Sequence, residues 1–189
     1  MNTIQNHIKA GQVYRRSDLL PFTSAPDRDL AELVRSGILT KLTQGLYYMP
    51  RMSDFGIVPP SQTDLVKAFL KDENFLILSP NMYNMLELGT TQLYNERIVY
   101  NHKRHGLFEL GGLKFRFHRK YNFPKSLTKE FLLVDFLSNL ETLAEEEDGL
   151  IENLKQKVSK LNMPRLQTAA TKYGSIRAKK ILSQLINIQ

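Results

Sequence analysis

Cysteine is absent from the 189 residues. That removes a disulfide framework and any thiolate metal site, and it makes the cytoplasm the expected compartment. No window approaches the roughly 18 uninterrupted apolar residues that a membrane-spanning helix needs, so no membrane partner is expected. The opening MNTIQNHIKAG carries no apolar core of signal-peptide length and no cleavage pattern. A phosphate-cradling glycine loop and a nucleophile elbow are also missing. His102, His105 and His118 lie near one another in sequence, but without the i,i+4 helical spacing and accompanying carboxylates of a zinc hydrolase. The run Glu145-Glu146-Glu147-Asp148 reads as a solvated loop, because adjacent carboxylates do not converge on one ion without special backbone geometry. No catalytic residue, metal site or cofactor is expected.

What is present is a 42% hydrophobic composition, enough for a real core, and a net charge of +7 that is unevenly spread. Basic residues outnumber acidic ones 9 to 1 in residues 97–129 and 8 to 1 in residues 149–189, while residues 130–148 hold 7 acidic and no basic residues. Segregation of this kind points to an acidic partner for the basic stretches.

The strongest local pattern is KAGQVYRRSDLLPFTSAPDRDLAELVRSGILTKLTQGLYYMP, residues 9–50. Ile4 and Ile8 suit a first helix closing at Gly11. Ser17 is a plausible N-cap for a second, carrying Leu19, Leu20 and Phe22. Pro26 fits the first turn of a third, capped by Thr23 or Ser24, with Leu30, Leu33 and Val34 as its apolar stripe and Gly37 as its end. Arg28 and Arg35 fall together on the opposite face, where guanidinium groups can meet phosphates or guanine edges. Glu32 shares that face and is spaced to pair with Arg28. Residues 38–42 and 46–49 read as two strands joined at Thr43-Gln44-Gly45. That order is a winged helix-turn-helix, and the expected DNA contacts are Arg15, Arg16, Ser17, Arg28, Arg35, Lys41, Gln44 and Tyr47.

Residues 51–61, with Gly56 and Pro59-Pro60, lack periodicity and read as a connector between a domain at 1–50 and a second domain at 62–189. Within the second, 62–70 and 80–88 suggest helices, the latter ending at Gly89, and 75–78 a buried strand. Residues 97–101, 106–110 and 113–119 suggest further strands, with a tight turn at Gly111-Gly112. In KFRFHRK the alternation sets Phe115 and Phe117 against Lys114, Arg116 and His118. That is a half-buried strand in the first instance, and a stacking platform for single-stranded nucleic acid in the second. From Thr128 onward helical spacing dominates. Leu133, Phe136, Leu137 and Leu140 form a core stripe with Asp135, Ser138 and Asn139 opposite it. Later helices carry Lys155, Lys160, Arg165, Lys172, Arg177, Lys179 and Lys180 on their outward faces. The expected class is α+β: an N-terminal winged helix-turn-helix, then a mixed α/β domain with a helical C-terminus.

SGILTKLTQGLYYMP, ILSPNMYNMLELG and MPRLQTAATKYGSIRAKKIL together resemble the AbiEi-type antitoxins of bacterial abortive-infection, or type IV toxin–antitoxin, systems. The resemblance covers essentially the whole chain. It implies a head that binds inverted repeats in the promoter of its own operon, and a C-terminal domain that counters a nucleotidyltransferase-like toxin. The chain is then expected to be a monomer or weak dimer that assembles on double-stranded DNA, with the C-terminal basic residues facing toxin or nucleic acid. Two other readings are a stand-alone winged-helix regulator with a ligand-sensing or oligomerising domain, and a nucleic-acid-processing enzyme using the histidine region.

Overall fold

The computed structural model describes residues 3–88, 95–142 and 150–187. It is a mixed α+β fold, as expected, and divides into two compact units, residues 1–75 with 106–115 and residues 76–105 with 116–189.

In the first unit a 3-10 turn (Thr3–His7) leads into β1 (Val13–Arg15), the short α1 (Arg16–Leu19) and a second 3-10 turn (Leu20–Phe22), followed by α2 (Pro26–Arg35). Strands β2 (Thr40–Thr43) and β3 (Leu46–Tyr48) then form a hairpin, and β1 pairs with the far edge of β3 to give the antiparallel order β1-β3-β2. Ile4, Ile8, Leu19, Leu30, Leu33 and Leu39 form the core under these helices. Two expected caps are replaced. Ser17 lies inside α1, and the capping work falls to Asp18, whose carboxylate accepts the Arg15 backbone N–H at 3.0 Å. At α2 the cap position is Ala25; Thr23 accepts the Ala25 N–H and donates its hydroxyl to Asp29. The hairpin begins two residues later than expected because Leu39 is still held under α2, its N–H donating to the Leu33 carbonyl at 3.0 Å. Its turn is Gln44-Gly45, with a bulge between Lys41 and Thr43.

The expected connector is itself structured. β4 (Arg51–Ser53) and β5 (Gly56–Val58) form a separate two-stranded antiparallel hairpin. The first unit also continues through α3 (Gln62–Leu70), capped by Ser61, whose Oγ accepts the Asp64 N–H. The expected break between residues 1–50 and 62–189 is therefore not where the compact units divide.

Strands β6 (Phe75–Leu78), β7 (Arg97–Asn101), β8 (Gly106–Leu110) and β9 (Leu113–Arg119) form a sheet of order β6-β7-β9-β8. Gly111 and Gly112 both have positive φ, as a tight hairpin turn requires. Phe115 and Phe117 are fully buried while Lys114 and Arg116 are exposed, the half-buried alternation. Residues 80–86 form a 3-10 helix; its expected end at Gly89 lies outside the described residues, as does the acidic run 145–148.

The second unit is organised around α4 (Lys129–Asn139), with α5 (Leu150–Val158), α6 (Met163–Tyr173) and α7 (Ile176–Asn187) following. Here one expectation fails. α4 is buried on every side from Glu130 to Leu137, Asp135 included, so it has no solvent face for Asp135 to occupy. Each of its buried Phe, Leu and Val side chains contributes about 1.5–3 kcal/mol. The α6–α7 link comes very close to α4 at Gly174. A Cβ there would lie 2.6 Å from the Ala170 carbonyl oxygen and 3.3 Å from Val134 Cγ1. Gly174→Ala is expected to destabilise the chain by about 1–3 kcal/mol in urea unfolding; an unchanged midpoint would show that the link relaxes freely.

Candidate nucleic-acid interface

Leu30 and Leu33 seat α2 on the core, which leaves Arg28 and Arg35 exposed on its outer side. In the β2–β3 hairpin, Lys41 stands directly across from Tyr47, and Tyr47 directly across from Tyr14 on β1. Residues opposite one another share a face of the sheet. Leu46 and Tyr48, one step either side of Tyr47, are buried on the other face. An open groove of about 410 Å³ runs between α2 and this hairpin, lined by Leu30, Ala31, Val34, Arg35, Lys41, Gln44 and Tyr47, with Asp27 at its side. Four of the eight expected contact residues thus converge: Arg35, Lys41, Gln44 and Tyr47.

The others are placed differently. Arg16 forms a fork on Asp27, Nε to Oδ1 at 2.8 Å and Nη2 to Oδ2 at 3.1 Å. This hydrogen bonding holds the Asp27 carboxyl below its ordinary range and raises the Arg16 guanidinium. The Arg16 backbone N–H also donates to the Gly45 carbonyl at 2.9 Å, fixing the hairpin turn against the start of α1. Arg15 is committed to Asp18, with Nη2 2.8 Å from Oδ1. Burial pushes the Asp18 carboxyl up, but its hydrogen bonds with Arg15 outweigh this and leave it lowered. Arg28, largely exposed, pairs with its neighbour Asp29 at 3.2 Å rather than with Glu32. Ser17 is exposed and within 3.4 Å of Asp18. Two of the three acidic residues on α2, Asp27 and Asp29, are therefore already paired with arginines.

The C-terminal basic residues do not gather into one site. Lys160 lines a pocket of about 270 Å³ with Lys129 and Lys157 around Leu86, Leu88 and Leu133; Lys157 is paired with Glu87. Lys179 lines a different groove, between α6 and α7. Arg177 is paired with Glu141. Arg165, Lys172 and Lys180 are exposed, and Lys155 is half-buried.

Sequence reasoning missed the polar centre of the second unit. Asp135 accepts the Tyr83 hydroxyl at 2.7 Å and the Tyr100 hydroxyl at 2.8 Å, and Lys120 Nζ lies 3.4 Å from the same carboxylate and 3.7 Å above the Tyr100 ring. Burial first, and the Asp135 charge second, push both phenols far above their ordinary range. The histidines stand around this centre as ring contacts. His105 and His118 have centroids 5.5 Å apart, His118 also meets the edge of Tyr100, and His102 stacks on Phe123. Burial, then Lys120, His105 and Arg116, lower His118 below its ordinary value. Among the described residues no three His, Asp or Glu side chains converge as a metal site, and no helix is long and apolar enough to cross a membrane.

No family model and no curated protein matches the chain. Among solved structures it is similar to the crystal structure of the RV2827C protein from Mycobacterium tuberculosis. The TM-score is 0.58, with 97% of this chain and 73% of that one covered at 17% identity. At that identity the likeness is one of fold.

Proposed function

We propose that the chain is a DNA-binding antitoxin and autoregulator. The N-terminal unit acts as a winged helix-turn-helix, with α2 as recognition helix and the β2–β3 hairpin as wing. The unit built on α4 to α7 counters a nucleotidyltransferase-like toxin. The observation that carries the DNA reading is the groove in which Arg35, Lys41, Gln44 and Tyr47 meet. It offers two cations, an amide able to bond a base edge or phosphate, and an aromatic ring, on a helix and a hairpin both tied to Arg16, whose guanidinium bonds Asp27 of α2 and whose backbone N–H donates to Gly45 of the hairpin turn. The antitoxin half rests on the sequence resemblance and on the basic excess of residues 149–189.

The test is a titration of the full chain on the DNA upstream of its own gene at several salt concentrations. Removing a cation that meets a phosphate should shallow the slope of log K against log salt by about 0.9. Arg35→Ala with Lys41→Ala is therefore expected to weaken binding and reduce the slope by up to about 2. Unchanged affinity and slope would remove this groove from the interface. Co-expression with the neighbouring nucleotidyltransferase, if one is encoded there, tests the antitoxin half separately.

A second reading, a stand-alone regulator that senses a small polar ligand, is favoured by a cleft of about 510 Å³ in the first unit. Its walls include Arg15, Asp18, Asp64, Lys67, Lys71 and Glu73. That cleft touches β1 and α1, so a ligand there would act on the same head.

A further inference from the structure

The cavity of about 270 Å³ in the second unit joins an apolar interior to a cluster of lysines. It lies where the 3-10 helix of residues 80–86, α4 and the end of α5 meet. Leu86, Leu88 and Leu133 are buried in its walls, Leu161 is half-buried there, and Met85 is 54% exposed beside them. Lys129, Lys157 and Lys160 line the same space, and the one carboxylate among them is Glu87.

Glu87 ends the 3-10 helix with φ 54°, a left-handed conformation ordinarily left to glycine or asparagine, and its N–H donates to the Asn84 carbonyl at 3.0 Å. From that position it pairs with Lys157. Its hydrogen bond to Lys157, then the charge of Lys157, and after these the charges of Lys129 and Lys160, hold the Glu87 carboxyl below its ordinary range. All three lysines therefore act at one place, and one of them is neutralised. Among the described residues neither Lys129 nor Lys160 has an ion-pair partner. Two positive charges are left beside an apolar cavity.

We propose that this cavity binds a phosphate monoester bearing a short hydrocarbon tail, with the phosphate on Lys129 and Lys160 and the tail between the leucines. A phosphate monoester carries about 1.5 to 2 negative charges at neutral pH, which matches two unpaired lysines better than a singly charged carboxylate does. Lysine also meets phosphate as a point charge, without the planar fork that suits carboxylates. The tail is hydrocarbon and not a nucleobase, because the apolar walls are Leu and Met alone, with no hydroxyl, amide or aromatic ring to bond or stack a base. Sites for drug-sized ligands run from about 300 to 1,000 Å³, so a cavity just below that range takes one short chain. The site uses none of the groove residues and does not depend on the antitoxin reading.

Calorimetric titration of octyl phosphate, kept below its micelle-forming concentration, into the full chain should show saturable single-site binding. Across butyl, hexyl and octyl phosphate the affinity should rise by up to about fourfold per methylene until the cavity is full, and inorganic phosphate should bind at least about tenfold more weakly than hexyl phosphate. Lys129→Ala with Lys160→Ala should weaken octyl phosphate binding by about tenfold or more without moving the unfolding midpoint, since both side chains are exposed. Glu87→Gln removes the internal carboxylate and should tighten binding severalfold. Absence of saturable binding, affinity indifferent to tail length, inorganic phosphate binding as well as the esters, or a lysine double variant that binds as wild type would overturn the proposal. Co-sedimentation with phosphatidic acid vesicles, against phosphatidylcholine alone, separates the two sources of such a group. Retention that the lysine double variant loses identifies a lipid head group, and octyl phosphate binding without retention identifies a free ester.

Discussion

Asp135→Ala is expected to lower the unfolding free energy by about 3–5 kcal/mol, enough to leave a domain of ordinary stability barely folded. Asp135 is 3% exposed, and Tyr83 and Tyr100 are buried beside it. Removing the carboxylate strands two phenolic O–H donors in an apolar core, each costing about 1–3 kcal/mol when unpaired. Lys120, one-third exposed on its side chain, can turn to water and adds little. Tyr83→Phe and Tyr100→Phe each remove donor and demand together, so each should cost only about 1 kcal/mol. In a background carrying both, Asp135→Leu should cost far less than Asp135→Ala does alone. Urea unfolding of the set measures the coupling. A loss below about 1 kcal/mol for Asp135→Ala would show that the carboxylate is not holding the unit together. The same centre sets an alkaline limit. The phenols titrate higher when folded than unfolded, so their contribution is fully present below about pH 10 and is lost as pH rises beyond it.

The order of elements from α2 to β3 was legible because each signal acts within a few residues. Pro26 presets the first turn, Gly37 and Gly45 take positive φ at the helix end and the hairpin turn, and Leu30 and Leu33 repeat at helical spacing. Arg35, Lys41, Gln44 and Tyr47 could be nominated for the same reason, and the groove joins them. Arg15, Arg16 and Arg28 could be nominated too, but their ion pairs with Asp18, Asp27 and Asp29 were not read: Arg16 with Asp27 depends on how the chain turns between α1 and α2, and the two short-range pairs depend on which rotamer each arginine takes. The β4–β5 hairpin was hidden by its length: three-residue strands beside Gly56 and two prolines carry no measurable period. Asp135 was hidden for the opposite reason. A helix buried on all sides has no phase, so a polar residue within it cannot be assigned a face by periodicity. The clue was chemical: a lone carboxylate inside FLLVDFL must find donors, and the chain holds tyrosines to supply them.

Leu33→Ala is expected to cost about 2–5 kcal/mol and to weaken DNA binding without touching DNA. Leu33 is 1% exposed and buried against Ile4, Ile8, Leu19, Leu30 and Leu39, and its carbonyl accepts both the Leu39 N–H and the Ser36 hydroxyl, so it anchors the end of α2 as well as filling space. A loss of that size is a large part of the stability of an ordinary domain, and the substitution should leave a sizeable fraction of the N-terminal unit unfolded. Apparent affinity falls by that fraction, because only folded molecules bind. The salt dependence separates this from removal of a DNA-facing cation. Folded Leu33→Ala molecules still present Arg35 and Lys41, so the slope of log K against log salt should match wild type even as affinity drops, and lowering the temperature towards the stability maximum should recover part of the loss. Arg35→Ala with Lys41→Ala should do the reverse, with unchanged unfolding and a shallower slope. If Leu33→Ala flattens the slope as the surface pair does, then α2 does not carry its cations to DNA as a rigid helix, and the groove is not the reading surface.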